Sequence, residues 1–314
     1  MTNDHRLTIS DRPTAADRPS RRAALALGAG TAVAGVLAAA GPAAAVGRGG
    51  VGEALAELER AHAARLGVVG WNPVTGARVA YRAGELFPIC SVHKVMTVAA
   101  VLRDLDRDGE FLARRIRYTA QDVADAGYAP VTGTAEHLAD GMTVAELCAA
   151  ALDQSDNAAD NLLLRQLGGP TAITRFCRSV GDRVTRLDRW EPALNSAEPG
   201  RVTDTTSPAA VARTVAALVL GRALCAPDRR RLTDWMRANT TGTARLRAGL
   251  PAGWTVAEKT GTGDRGTAND VGVAWTPDGT PVVLAVLTTK GVAGAAADEP
   301  LIARAAALIA PVLG

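Results

Sequence analysis

Leu66-Gly67-Val68-Val69-Gly70-Trp71 and Ala77-Arg78-Val79-Ala80-Tyr81-Arg82 are two β-like runs, and the five residues between them, Asn72-Pro73-Val74-Thr75-Gly76, are turn formers. Residues 66–82 therefore read as a hairpin. Working outward, residues 51–65 carry Leu55, Leu58 and Ala61 at helical spacing, so a helix precedes the hairpin. The next β-rich runs come near the opposite end of the chain, at 254–259, 269–276 and 281–289, and an amphipathic helix follows over 298–311. Between them, residues 87–236 are mostly Ala/Leu/Arg segments with helical periodicity and polar starts such as Thr143 three residues before Glu146. Strands at both ends with helices between them require the chain ends to meet in one sheet. The expected fold is α+β, an α-β-α sandwich: a five-stranded antiparallel sheet flanked by terminal helices, with an all-helical subdomain inserted. The expected boundaries are 46–86 plus 237–314 for the α/β part and 87–236 for the helical part, with a cleft where they meet. One stretch inside the helical part breaks the pattern. Residues 187–206 are rich in Pro, Gly, Asn and Asp, and a loop of that length in a compact chain is usually functional.

With 314 residues, 47% of them hydrophobic, the chain can bury a large core. Residues 1–45 hold five Arg and three Asp of the 35 basic and 32 acidic side chains, leaving 30 against 29. That balance gives no electrostatic case for nucleic acid or a membrane surface as partner. Residues 1–45 read as an export signal: Ser20-Arg21-Arg22 precedes an apolar stretch over 23–40, and Ala43-Ala44-Ala45 offers a small-residue cleavage site. The paired arginines favour the twin-arginine route, so the expected location is extracytoplasmic, without stable membrane association after processing. Cys90, Cys148, Cys177 and Cys225 match no zinc or redox template and are expected to be buried small hydrophobes. No metal or cofactor is expected, and the protein is expected to be a monomer.

The chemistry concentrates in three short motifs. In Phe87-Pro88-Ile89-Cys90-Ser91-Val92-His93-Lys94-Val95-Met96, a serine and a lysine three apart stand at the start of an apolar helix. That spacing puts both on one face, where the amine can reach the hydroxyl. A serine is a weak nucleophile without a base beside it, which a desolvated lysine can supply. The helix start adds favourable partial charge, and the Ser91 backbone N–H can serve a developing oxyanion. Lys94, Lys259 and Lys290 are the chain's only lysines among many arginines, and two of them lie in such motifs. A site that needs a titratable amine or a compact cation cannot use arginine. Ser155-Asp156-Asn157 lies between helical segments over 143–154 and from about 158. Ser155 offers a hydroxyl to relay a proton and Asn157 an amide to grip substrate, while Asp156 holds the turn. Lys259-Thr260-Gly261 closes a β-like run and Thr262-Gly263 follows, so a substrate can approach the strand edge, with the Thr262 N–H as second oxyanion donor. Residues 261–266 also satisfy G-x-G-x-x-G, but they lead into another strand rather than opening a helix, which excludes a dinucleotide site.

In that order, the three motifs resemble those of class A serine β-lactamases and penicillin-binding proteins, over nearly the whole chain after the signal. Arg189-Trp190-Glu191-Pro192-Ala193-Leu194-Asn195 separates the two branches, because it is similar to the Glu-x-x-Leu-Asn signature of class A enzymes. The resemblance implies the sheet-plus-insert fold and hydrolysis of a small β-lactam by an acyl-enzyme. It makes Glu191 the base for the deacylating water, helped by Asn195, with acylation shared between Lys94 and Glu191. It further implies an Arg189–Asp204 salt bridge closing the loop, a cis Glu191–Pro192 bond, and Tyr128 as a wall of the site. For the substrate carboxylate it implies Lys259, Thr260, Thr262 and an arginine. Many relatives carry that arginine where Ala268 stands here, and Arg245 matches the alternative used by actinobacterial relatives, with Arg247 close by.

Other positions depart from the family. Val98 stands where some relatives pair a cysteine with the equivalent of Cys148, and Gly263 where carbapenem-hydrolysing relatives pair one with Cys90, so neither bridge is expected. His93 takes a position often held by an aromatic and is expected to pack. A D-alanyl-D-alanine peptidase would share Ser91, Lys94 and Lys259, and a β-lactam sensor would stay acylated, but Glu191 argues against both.

Overall fold

The computed structural model describes residues 48–314, so the expected export signal over 1–45 lies outside the described residues. Strands β1 (Arg65–Trp71), β2 (Arg78–Tyr81), β3 (Thr255–Gly263), β4 (Thr267–Trp275) and β5 (Pro281–Thr289) form one antiparallel sheet in the order β2-β1-β5-β4-β3. The hairpin at the start of the chain thus pairs with the last strand, Val69 lying between Ala80 and Ala285. β1 reads as a continuous apolar run because it is internal to the sheet and covered on both faces. Its glycines admit the covering layers: a Cβ at Gly67 would meet the Phe87 ring at 2.6 Å, and one at Gly70 would run into Leu313.

The helices that cover this sheet or carry site residues include α1 (Arg48–Ala61), α2 (Lys94–Ala100), α3 (Val144–Asp153), α4 (Asn157–Leu167), α5 (Pro208–Val219) and α6 (Glu299–Leu313). The side-chain alternation of β5 divides the interior. Val283, Ala285 and Leu287 join a core with Val95 of α2, Leu147 of α3, Leu163 of α4 and Val211 of α5. Val282, Leu284 and Val286 face the other way, packing with Leu55 of α1 and Ile302 and Ile309 of α6. Each fully buried aliphatic side chain contributes roughly 1.5–3 kcal/mol. The terminal helices and the inserted helices therefore hold opposite faces of one sheet, as the sequence predicts, and the described residues make one compact unit.

Helix starts follow the sequence closely. Thr143 and Glu146 form the expected reciprocal cap on α3, Asp156 caps α4, Ser207 caps α5 and Asp298 caps α6. Each such cap stabilises by about 1 kcal/mol. Two expectations need correction. β3 continues four residues past 259, because Thr260 to Gly263 keep pairing with Asp270 to Thr267 of β4. Lys259-Thr260-Gly261 therefore sits inside an edge strand rather than closing it. Among the cysteines, all free, Cys225 is exposed at the start of the helix Ala226–Arg237, where its thiol meets Asp228. None of the helices among the described residues is long and apolar enough to cross a membrane.

Candidate active site

Ser91 lies in a 3₁₀ turn, Cys90–His93, that leads directly into α2. Cys90 adopts a left-handed conformation (φ 46°), costly for a residue with a side chain and therefore dependent on its surroundings. Several contacts hold this turn. Asn269 of β4 donates its amide to the carbonyls of Pro88 (2.8 Å) and Ile89 (3.2 Å), and the Ile89 N–H donates to the Asp204 carbonyl (2.9 Å). The end of β3 lies against it, where a Cβ at Gly263 would fall 2.7 Å from both Cys90 Sγ and the Asn195 carbonyl oxygen.

Ser91, Lys94 and Glu191 converge from the turn, the helix and the 187–206 loop, and all three are buried. The Ser91 hydroxyl donates to Glu191 Oε1 at 3.3 Å. Lys94 Nζ lies 3.2 Å from that same oxygen and donates to the Ser155 carbonyl (2.8 Å) and Asn157 Oδ1 (2.6 Å). This differs from the expected direct Lys94–Ser91 hydrogen bond. The ammonium turns instead to a carboxylate and two carbonyl oxygens, stronger acceptors than a hydroxyl. Glu191 is fixed from its other oxygen by Asn195 Nδ2 (2.5 Å), and its peptide is clamped by Asn161, whose amide bonds both the Glu191 N–H and carbonyl. Sequence reasoning missed Asn161. Its signal was its place four residues after Asn157, on the same face of α4.

Across the cleft, Ser155 (φ 58°) accepts a hydrogen bond from Lys259 Nζ at 2.9 Å. Burial, then the Lys94 and Arg245 charges, hold the Lys259 amine well below its ordinary value. Asp156 acts as the turn-holder expected of it, receiving the N–H groups of Val131 and Thr132 and the Thr132 hydroxyl. The Asn157 amide is committed within the protein, its oxygen to Lys94 and its nitrogen to the Ala126 carbonyl, so its first task is placing Lys94. The Asn157 N–H holds the Tyr128 carbonyl, and the Tyr128 ring stands 55% exposed at the cleft mouth.

Arg245, not Arg247, reaches the cleft. Its guanidinium donates to Thr262 Oγ1 (2.7 Å), the Gly261 carbonyl (3.0 Å) and the Asn269 carbonyl (2.8 Å). Arg247 turns away to Glu258. Thr262 pairs with Ala268 across the sheet, which leaves room for the arginine to arrive from outside the strand. Thr260 shares a hydroxyl hydrogen bond with Thr241, a cleft residue that sequence reasoning did not single out.

The loop closes through Arg189 Nε and Asp204 Oδ2 at 2.5 Å. Asp204 is only 1% exposed, and its other oxygen takes the N–H groups of Asp188 and Arg189, so the salt bridge is part of a buried network. The Glu191–Pro192 bond is cis. His93, expected to pack as an apolar group, is instead hydrogen-bonded at both ring nitrogens, to the Cys90 carbonyl and to Asp160, each at 2.8 Å. Ligand atoms of His93, Asp160 and Glu191 lie within 4.8 Å of one another, but Lys94 Nζ already supplies the cation that this set faces.

Ser91, Ser155, Asn195, Thr262, Arg245 and Tyr128 line one cleft of about 410 Å³, a size suited to a small molecule. A separate cleft of about 460 Å³, between Arg65, Lys290 and loop residues 197–202, contains none of these groups. Fold and site together define the class of a serine hydrolase, with a buried serine–lysine–glutamate cluster beside a cleft lined by arginine and threonine side chains. Comparison with known proteins makes this specific. Residues 50–313 match the family described as the β-lactamase enzyme family. The β-lactamase of Streptomyces lavendulae is 64% identical over 260 residues, covering 83% of this chain and 85% of that one. The carbapenem-hydrolysing β-lactamase KPC of Klebsiella oxytoca is 46% identical over 265 residues, covering 84% and 89%. The solved β-lactamase of Streptomyces albus G superposes with a TM-score of 0.84 at 60% identity, covering 84% of this chain and all of that one (100%). The chain belongs to the β-lactamase enzyme family, in its class A serine branch.

Proposed function

We propose that Ser91, Lys94, Ser155 and Glu191 divide the two stages of β-lactam hydrolysis between them. Ser91 Oγ attacks the lactam carbonyl carbon while the Lys94–Glu191 pair, acting as one base, takes its proton. The C–N bond breaks as Ser155 Oγ, backed by Lys259, gives its proton to the departing nitrogen and regains from the Lys94–Glu191 pair the one taken from Ser91, which frees Glu191 for the second stage. In the second stage Glu191 takes a proton from water, the hydroxide attacks the ester, and Ser91 leaves with its proton restored. The Ser91 and Thr262 N–H groups face the oxyanion in both stages, each typically contributing roughly a hundred- to a thousandfold in rate. Lys259, Thr260, Thr262 and Arg245 receive the substrate carboxylate. The negative charge opposes the burial and neighbouring cations that lower the Lys259 pKa, so binding favours the ammonium form of that amine.

The observation that carries this reading is that one oxygen of Glu191 stands at 3.3 Å from Ser91 Oγ and 3.2 Å from Lys94 Nζ, so a single carboxylate can serve both stages. The experiment is turnover of a chromogenic cephalosporin by the wild type and by Ser91→Ala. The variant should bind the substrate but neither hydrolyse it nor gain its mass; hydrolysis at the wild-type rate would remove Ser91 as nucleophile.

The division into an α/β part, residues 46–86 with 237–314, and a helical part, residues 87–236, belongs to the same proposal, since it puts the cleft at their boundary. So does twin-arginine export through residues 1–45. With Arg21 and Arg22 both replaced by Lys, the precursor should stay inside the cell; unimpaired export of that variant would reject the route.

A further inference from the structure

His93 and Asp160 are among the buried ionisable groups that the mechanism leaves unused. Both are fully buried, on α2's entry turn and on α4. Their hydrogen bonds restrict where protons can be. A carbonyl only accepts, so His93 Nδ1, 2.8 Å from the Cys90 oxygen, must carry hydrogen. The 2.8 Å contact between Nε2 and Asp160 Oδ2 then needs one further proton, held either by the ring as imidazolium or by the carboxyl group. Burial opposes the imidazolium, but the charge and hydrogen bond of Asp160, with the Glu191 charge, outweigh it and raise the ring. Burial likewise opposes the carboxylate, and the His93 charge and hydrogen bond, with Lys94, outweigh it and lower Asp160. The charged groups facing the ring are Asp160 from α4, Glu191 from the loop and Lys94 from its own helix.

We propose that His93 and Asp160 are positioning residues: an imidazolium–carboxylate pair that holds the left-handed Cys90 turn beneath Ser91 and sets a second buried cation beside Glu191. The ring's Nδ1–H fastens the carbonyl of the strained residue that precedes the nucleophile. Its positive charge lies, with Asp160, within 4.8 Å of the Glu191 carboxylate, where it favours the ionised base. Asp160 supplies the counter-charge that lets the cation persist out of contact with bulk solvent. The functional part of this inference rests on Glu191 being the deacylation base.

The pair is read directly by ¹⁵N–¹H spectroscopy of the imidazole rings, with the His93 signals assigned by their loss in a His93→Phe/Asp160→Ala double variant. Both ring nitrogens of His93 should remain protonated just above the pH, near 6.5, at which an ordinary imidazole loses its charge. A ring carrying one proton at that pH would overturn the proposal. The second measurement is the pH dependence of kcat for Asp160→Asn, which keeps a hydrogen-bonding neighbour of the same shape but cannot sustain the imidazolium. Its acid limb should move toward neutral pH by about one unit, a roughly tenfold loss at a pH on that limb. The double variant, in which two apolar groups replace the pair and protect folding, should shift in the same sense. Wild-type profiles in both would reduce the pair to packing and overturn the catalytic part. Because the spectroscopy does not depend on turnover, its failure is distinguishable from failure of the Glu191 assignment, which would leave the His93 protons in place.

Discussion

Lys94 shows how far a residue type fixes chemistry and where neighbours take over. Its spacing from Ser91 places it beside that serine, but four groups compete for one amine, and the Glu191 carboxylate and the Ser155 and Asn157 oxygens win over the Ser91 hydroxyl. Those partners come from residues 61, 63 and 97 positions away, which no local pattern encodes. Asn161 and the His93–Asp160 pair were unread for the same reason: each matters through a contact made only after folding. Arg245 was readable only through its match to the position that actinobacterial relatives use, and its guanidinium lies 2.7 Å from Thr262 Oγ1, beside the strand proposed to receive the substrate carboxylate. A charge-assisted hydrogen bond contributes about 1.5–3 kcal/mol, so Arg245→Ala should raise KM for carboxylate-bearing β-lactams at least tenfold. The same substitution should have much less effect on an esterified substrate. Equal loss on both would mean that Arg245 only braces the Gly261 and Asn269 carbonyls.

At the scale of elements, the hairpin, the terminal helices, β5 and the helix caps were legible, because periodicity and capping are local. The end of β3 was not. Thr260-Gly261-Thr262-Gly263 carries no apolar alternation, and it is strand because β4 offers partners and because the glycines let it lie against the Cys90 turn. The 187–206 loop was visible as an interruption, yet its rigidity comes from tertiary contacts. The Asp204 carboxylate is buried under two backbone N–H groups and Arg189, while its carbonyl holds Ile89 two residues before Ser91. The loop that carries Glu191 and the turn that carries Ser91 are thus tied through one residue. This explains how groups 100 positions apart meet at hydrogen-bonding distance.

For the whole molecule, the two cores hold opposite faces of the sheet, and β3, its edge strand, lies against the Cys90 turn and Asn195. The near balance of 30 basic and 29 acidic residues after residue 45 leaves the local groups, Lys94, Lys259, Arg245 and Glu191, to set the field in the site. That field has to serve capture and release alike, and release is what separates hydrolysis from permanent acylation. The decisive measurement is the mass of the Glu191→Gln enzyme during exposure to a β-lactam. The protein should gain one substrate mass on the peptide containing Ser91 and hold it, with steady-state turnover reduced by roughly three orders of magnitude. Turnover near the wild-type rate with no lasting adduct would contradict the assignment of water activation to this carboxylate.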